Sequence, residues 1–189
     1  MRKSLVAALA LTACVAVSGC MSSPAPSPVP APTFACTPEA GGAEHPCNER
    51  EYHEMKAQDA LYLEAEQVYH AWWRERERLF REGAPADDAA LAFTSGAATE
   101  SLLKTHARGT TYVGGSLAIV WLHRNVGSSR EGSIVSLEAC VDGSSATIKR
   151  NGTVLGRGDI AQERVYLGGA PGRLKVVFSE AKAVTACAR

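Results

Sequence analysis

Residues 51–82 read EYHEMKAQDALYLEAEQVYHAWWRERERLFRE, the longest periodic stretch in a chain of 189 residues. Apolar side chains recur in it at intervals of three and four residues, as on one face of a helix. No proline or glycine interrupts the stretch, and Gly83 with Pro85 supplies a stop signal. The sequence therefore predicts one long amphipathic helix over 51–82, whose apolar face comprises Leu61, Tyr62, Ala65, Val68, Tyr69, Trp72, Trp73, Leu79 and Phe80.

Residues 74–78 of this helix alternate strictly between arginine and glutamate. At helical spacing Glu75 faces Arg78 three residues later, and Glu77 faces Arg81 four residues later. This spacing indicates a solvated face whose charges pair with one another. It favours that interpretation over the alternative, an interaction patch.

Two shorter helices are predicted after the long one. Asp87 or Asp88 can cap the first of them, because a side-chain oxygen at this position satisfies a free backbone N–H. Thr94 or Ser95 can cap the second, which would run to about Arg108 before a glycine ends it.

The pattern changes from Gly114 onward to short β-rich runs that are separated by glycines. Asn151-Gly152 between two such runs is a strong signal for a two-residue hairpin turn. Helices followed by consecutive antiparallel strands indicate an α+β fold. The predicted strands are 116–124, 134–141, 146–150, 153–155, 160–167 and 173–180.

The N-terminus has the features of an export signal. Arg2 and Lys3 precede the apolar stretch 5–17, which is too short to span a bilayer comfortably. Val-Ser-Gly-Cys at 17–20 resembles the lipobox of bacterial lipoproteins, which implies a diacylglyceryl group on Cys20 and cleavage before it. An ordinary secretory signal with a chance cysteine is the alternative.

A proline-rich linker follows the proposed lipidation site. Prolines occupy every second position over 24–32, and each one restricts both its own φ and the residue before it. The linker 20–35 is therefore predicted to be a stiff polyproline II stalk that holds a domain away from the membrane. A docking motif for another protein is the alternative.

Four cysteines remain beyond Cys20, and three pairings of them are possible. Cys36 and Cys47 bracket a loop with little apolar content, whereas Cys140 lies at the end of the predicted strand 134–141 and Cys187 follows the last predicted strand. An exported chain reaches an oxidising compartment, so we expect disulfides between Cys36 and Cys47 and between Cys140 and Cys187. The predicted regions are a signal peptide (1–19), the linker (20–35), a disulfide-stapled loop (36–50) and an α+β domain (51–189).

Composition and motifs argue against several classes of protein. Lys plus Arg and Asp plus Glu are both 20, and this zero net charge is unlike the basic excess of a nucleic-acid-binding protein. Cys36, His45 and Cys47 lack a fourth ligand at zinc-site spacing, so no metal is expected. The sequence has no phosphate-binding glycine loop and no dinucleotide-binding motif, so no cofactor is expected.

The order of elements carries a family resemblance. Its marks are the aromatic helix with Tyr69, Trp72 and Trp73, the short helix before Thr94-Ser95-Gly96, and the sheet with Ala139-Cys140-Val141-Asp142 and Cys187. This order resembles small secreted actinobacterial lipoproteins with a nuclear transport factor 2-like domain, also described as SnoaL-like or cystatin-like α+β. The resemblance covers about 51–189 and implies a curved antiparallel sheet that wraps the long helix as a cone with an internal cavity.

Under this resemblance, Tyr69, Trp72, Trp121 and His123 are the candidate cavity-lining residues. His123 ends a set of alternating apolar residues on a predicted strand, so it is one candidate for acid–base chemistry. Asp142 is the other, although an aspartate before a glycine is typical of a turn. Further titratable residues on or near predicted elements are His106, Glu138 and Asp159.

These observations predict a lipid-anchored protein on the extracytoplasmic face of the cell membrane. The leading hypothesis is a non-catalytic module that binds a small apolar ligand or another envelope protein. Members of the resembled family also include isomerases and dehydratases, so a small acid–base enzyme acting on an apolar molecule is one alternative. A structural or assembly role is the other.

Overall fold

The computed structural model describes residues 33–38 and 42–188. The predicted signal peptide (1–19), the lipidation residue Cys20 and the linker up to residue 32 lie outside the described residues. The structure confirms the predicted α+β class, with one long helix and antiparallel sheets. Its elements are β1 (Phe34–Cys36), β2 (His45–Cys47), α1 (Glu49–Glu82), α2 (Asp88–Leu91), α3 (Ala97–His106), β3 (Thr110–Val113), β4 (Ala118–Arg124), β5 (Val135–Asp142), β6 (Thr147–Arg150), β7 (Thr153–Arg157), β8 (Ile160–Gly168) and β9 (Lys175–Val184).

Helix α1 begins two residues earlier than predicted because a capping box fixes its start. The Asn48 side chain accepts a hydrogen bond from the Glu51 N–H, and the Glu51 carboxylate accepts one from the Asn48 N–H. At the other end, Gly83 adopts the left-handed conformation that terminates the helix. The fully buried stripe between these ends consists of Tyr62, Ala65, Tyr69, Trp72 and Leu79.

The cap predicted for α2 is confirmed and the cap predicted for α3 is wrong. The Asp87 carboxylate accepts from the Ala90 N–H at 3.1 Å and caps α2. Helix α3 starts only after Gly96, because the preceding backbone pairs with a strand. The Ser95 N–H donates to the Val176 carbonyl, and the Val176 N–H donates to the Phe93 carbonyl, at 2.9 Å each.

The strands divide between separate sheets, where one curved sheet was expected. Strands β4, β5, β8 and β9 form a four-stranded antiparallel sheet in that order. The hairpin β6–β7 instead joins β3, a strand that the sequence prediction missed, in a three-stranded sheet. The predicted turn of this hairpin is present, with φ of 49° at Asn151 and 83° at Gly152.

Helix α1 covers one face of the four-stranded sheet, which we call the inner face. Its buried stripe packs on apolar residues of β5, β8 and β9 and the turn before β9, namely Val135, Leu137, Ala139, Val165, Leu167, Leu174 and Val176. The opposite, outer face carries the alternate residues of the same strands. A smaller cluster of Leu79, Ala90 and Leu102 joins the three helices.

Both predicted disulfides are confirmed. Cys36–Cys47 joins β1 to β2, so the expected loop over 36–50 contains the second strand of a short hairpin. Cys140–Cys187 closes a much longer segment of 47 residues and ties the C-terminal end to the central strand β5.

Candidate functional site

A buried cluster of three polar side chains lies between α1 and the inner face of the sheet. The Glu163 carboxylate on β8 accepts a hydrogen bond from Arg76 Nη1 at 2.8 Å and another from the Tyr69 hydroxyl at 3.1 Å. The Glu163 side chain is only 4% exposed and that of Arg76 is 20% exposed. Both carboxylate oxygens therefore have a partner, as a buried charge requires.

The periodicity of the two elements places these groups opposite each other. Arg76 follows Trp72 by four residues and precedes Leu79 by three, so it belongs to the buried stripe of α1. Glu163 alternates with Val165 along β8 and shares its inward orientation. Its cross-strand neighbours are Ala139 and Ala181, whose small side chains leave space above Glu163.

Two tryptophans hold the guanidinium of Arg76. Its central carbon lies 4.3 Å from the ring centre of Trp72 and 4.9 Å from that of Trp73. The Trp73 indole N–H donates to the Leu117 carbonyl at 3.4 Å. Cation–π contact of this kind is strongest where water is excluded, so the rings and Glu163 together fix the guanidinium in place.

The Tyr69 hydroxyl acts as a permanent hydrogen-bond donor in this cluster. Burial raises the pKa of Tyr69 far above its ordinary value, and the negative charge of Glu163 raises it further. The phenol therefore stays protonated at any physiological pH. Its proton points to Glu163 and supplements the hydrogen bond from Arg76.

A cavity of about 170 Å³ opens beside the cluster. Aromatic and aliphatic side chains line much of it, Arg76 and Glu163 are among its lining residues, and Asp159 contributes an exposed carboxylate. Arg76 donates to Glu163 through one nitrogen and makes no other side-chain hydrogen bond to a described residue, so the remaining N–H groups are available to a ligand. The apolar lining consists mainly of Trp73, Phe80, Tyr112, Leu117 and Val141.

Arg76 also lines a smaller space of about 40 Å³, which His106 borders. The imidazole is buried and packs against the Phe80 ring at 4.5 Å, and its Nε2 has no partner among the described residues. Burial, and secondarily the charge of Arg76, lowers the pKa of His106 to about 4. His106 is therefore neutral at pH 7.

Of the four predicted cavity-lining residues, two lie at this site. Tyr69 contributes its hydroxyl to the cluster, and Trp72 borders the smaller space. The expectation for Trp121 and His123 was wrong. A β-bulge between Ile119 and Trp121 shifts the register, so that Trp121 pairs with Cys140 and His123 with Glu138 on the outer face.

The two candidates for acid–base chemistry both lie away from the cavity. His123 is exposed on the outer face and stacks on Trp121, with ring centres 5.0 Å apart. Asp142 accepts a hydrogen bond from the Ser144 N–H at 2.8 Å, as an aspartate that shapes a turn does. Hydrogen bonding to Ser144 lowers the pKa of Asp142.

Sequence reasoning missed the two charged residues at the centre of the site. The charge alternation over 74–78 predicts a solvated face, which is wrong for Arg76 but holds for its neighbours: Arg78 pairs with Glu75 at 2.9 Å and Arg81 with Glu77 at 3.2 Å. The available signals were the positions of Arg76 on the apolar stripe and of Glu163 in the alternation of β8.

A larger depression of about 590 Å³ lies beside the N-terminal hairpin and the start of α1. Arg124, the one arginine among its described lining residues, already pairs with Asp59 at 2.6 Å and contacts Glu66 at 3.5 Å. Its side chains are largely exposed, so this depression lacks the buried polar groups that distinguish the Arg76 cavity.

No family model, curated protein or solved structure matches this chain. Among the described residues, no helix combines the length and apolar character needed to cross a bilayer. The same part of the chain contains no group of three or more His, Cys, Asp or Glu side chains that could hold a metal ion. The site is therefore interpreted from its own geometry.

Proposed function

We propose that this protein is a lipid-anchored lipoprotein of the cell envelope whose nuclear transport factor 2-like domain binds a small ligand in the cavity beside Arg76. Support for the anchor comes from the lipobox-like residues before Cys20 and the proline-rich linker. Support for ligand binding comes from one observation: a guanidinium with unused donors, fixed by Glu163 and two indole rings, lines an apolar cavity.

The lining indicates the chemistry of the ligand. The cavity of about 170 Å³ is smaller than the roughly 300–1,000 Å³ of sites for drug-sized molecules, so the ligand is small. Trp73, Phe80 and Tyr112 favour a flat apolar body. Arg76 favours a neutral carbonyl oxygen on that body, since its unused N–H groups need an acceptor and the carboxylates of Glu163 and Asp159 disfavour a second negative charge.

The proposal is tested by filling the cavity. Leu117 is buried and lines the cavity, so Leu117→Trp places a large ring in the ligand's volume. Leu63→Trp adds the same ring at an exposed position of α1 and is the matched control. Native mass spectrometry of the full chain, extracted from its own envelope, should show a bound small molecule in the wild type and in Leu63→Trp.

Leu117→Trp should lose that small molecule while keeping the circular dichroism of the wild type. The absence of any bound species in the wild type, or its persistence in Leu117→Trp, would argue against ligand binding in this cavity.

The anchor is tested separately. Cys20→Ser removes the cysteine of the lipobox-like sequence at 17–20, so the full chain should leave the membrane fraction and no longer incorporate labelled palmitate. Cys14→Ser is the control, because Leu-Thr-Ala-Cys at 11–14 also fits the lipobox pattern. Retention of Cys20→Ser in the membrane with its label would refute lipidation at Cys20.

A further inference from the structure

A second groove is also lined by Phe80 and Tyr112, whose ring centres are 4.8 Å apart. Its volume is about 280 Å³, and it runs between the three-stranded sheet and the C-terminal end of α3. Phe80 and Tyr112 line both spaces, whereas Arg76 and Glu163 line only the first. The groove is thus a separate site.

Three arginines line this groove, and no carboxylate of the described residues does. Arg108 and Arg150 are exposed and make no ion pair or side-chain hydrogen bond with any described residue. Within the same part of the chain, Arg157 donates only to the Ser145 carbonyl, at 2.8 Å. The groove therefore gathers three positive charges that the described part of the chain does not neutralise.

Six arginines outside the groove have a carboxylate within 4 Å among the described residues, namely Arg50, Arg76, Arg78, Arg81, Arg124 and Arg164. Arg74, Arg130 and Arg173 have none in the same part of the chain, so the distinctive feature of the groove is that three such arginines line one space. The chain has equal numbers of acidic and basic residues, so acidic partners are not scarce. Three like charges around one groove repel one another unless an anion binds between them.

The rest of the lining is apolar. Phe80 and Tyr112 present ring surface, Ile148 is half-buried, and Leu155 is 53% exposed although it is a large aliphatic residue. An anion that binds here can therefore also bury an apolar part. Guanidinium groups recognise phosphate oxygens through paired hydrogen bonds, and a phosphate monoester carries nearly two negative charges at pH 7.

We propose that this groove binds a phosphate monoester attached to an apolar body, with the phosphate held by Arg108, Arg150 and Arg157 and the body resting on Phe80, Tyr112 and Leu155. Such a group can belong to a free aryl or alkyl phosphate or to the headgroup of phosphatidic acid. The recognition chemistry is the same in both cases.

The test uses the full chain with both disulfides intact and three soluble probes. Isothermal titration should show binding of 1-naphthyl phosphate, at least tenfold weaker binding of inorganic phosphate, and no binding of 1-naphthol. Binding of 1-naphthyl phosphate should weaken severalfold when salt rises from 50 to 300 mM, because the contacts are between charges.

Arg108→Gln/Arg150→Gln should weaken binding of 1-naphthyl phosphate at least tenfold. Arg74→Gln is the matched control, because Arg74 is exposed on α1 and lies outside the groove. This variant should bind 1-naphthyl phosphate as tightly as the wild type does. Leu155→Glu is a second variant that places a carboxylate in the groove at an exposed position, and it should weaken binding by a similar factor.

Vesicles distinguish the two sources of the phosphate. If phosphatidic acid vesicles retain the wild type more than the double arginine variant, and soluble probes do not bind, the proposal holds with a lipid as the source. All variants share the same N-terminal segment, so this difference reports on the groove alone. The proposal fails if the wild type does not bind naphthyl phosphate and is retained by these vesicles no more than the double variant, or if the double variant matches the wild type with both probes.

Discussion

Glu163 and Arg164 are neighbours on strand β8, and each forms an ion pair on a different face of the same sheet. Glu163 points inward to Arg76 at 2.8 Å, where the two side chains are 4% and 20% exposed. Arg164 points outward to Glu138 at 3.5 Å and Glu180 at 3.3 Å. There the Arg164 side chain is 42% exposed, and those of the two glutamates are 29% and 46% exposed.

We call Arg76 with Glu163 the inner pair, and Arg164 with its two glutamates the outer pair. Both combine a guanidinium with carboxylates, but they contribute differently to stability. Water and salt screen the outer pair, so its net contribution to stability is small. The inner pair has lost most of its hydration, so each charge depends on its partner. Removing one inner partner exposes that dependence, while removing one outer partner changes little.

The largest expected effect comes from Glu163→Ala, which leaves Arg76 and Tyr69 without their shared acceptor. We expect the free energy of unfolding to fall by about 3–5 kcal/mol, the cost of stranding a buried charge. Urea unfolding followed by circular dichroism measures it. The matched variant Glu180→Ala on the outer face should cost less than about 1 kcal/mol. Equal losses in the two variants would contradict the assigned difference in burial.

The second prediction concerns the disulfides. Cys140 lies on the outer face of β5, so that face is stabilised by the Cys140–Cys187 bond as well as by exposed ion pairs. Replacing Cys140 and Cys187 by alanine frees a segment of 47 residues and should cost up to about 4 kcal/mol. Replacing Cys36 and Cys47 frees 11 residues and should cost up to about 3 kcal/mol. Urea midpoints of the two double variants test this order, and a larger loss for the shorter loop would reverse it.

The third prediction concerns the pH dependence of stability, to which the buried His106 and the turn residue Asp142 contribute in different pH ranges. The folded pKa of His106 is about 4, below its ordinary value of 6.5. Between these values the unfolded chain binds a proton that the folded chain excludes, so stability falls as the pH drops from 6.5 to 4. The loss approaches about 3 kcal/mol, since one pKa unit corresponds to about 1.4 kcal/mol.

His106→Leu should remove this part of the pH dependence, as the difference between its urea midpoints at pH 7 and pH 4.5 will show. Asp142 acts in another window. Its pKa is lowered from 3.8, so its contribution is present above that value and disappears only as the pH falls below it. Asp142→Asn should therefore leave the change between pH 7 and pH 4.5 as in the wild type. Parallel pH profiles for His106→Leu and the wild type would refute the assignment of His106.

Sequence reasoning predicted the elements whose signals are local. The three-and-four spacing of apolar residues marks α1, and Asn151-Gly152 marks the hairpin turn because it tolerates positive φ. Asp87 caps α2 for the same local reason. The start of α3 could not be predicted locally, since pairing with Val176, some 80 residues away in sequence, decides it.

The candidate site was harder to predict because it depends on register between distant strands. The bulge beside Val120 shifts the pairing by one residue, and this moves Trp121 and His123 to the outer face. Arg76 resembles its charged neighbours in sequence, and only its position on the buried stripe distinguishes it. The functional importance of this position becomes visible only in the structure, where β8 places Glu163 opposite Arg76.

The smallest effect is expected from the outer pair. Comparing its coupling energy with that of the inner pair is the most direct test of the difference between the two faces. A double-mutant cycle of Arg164→Gln and Glu138→Gln should yield a coupling energy of about 0.2–1 kcal/mol, because solvent screens both groups. The coupling should shrink further in 1 M salt, where charges interact over only about 3 Å.

The corresponding cycle of Arg76→Leu and Glu163→Leu should behave differently: each single variant is strongly destabilised, while the double variant recovers much of the loss because no buried charge remains unpaired. Urea unfolding of all six variants at both salt concentrations measures the two couplings. If the outer coupling equals the inner one, or if only the outer coupling resists salt, burial does not distinguish the two faces of β8.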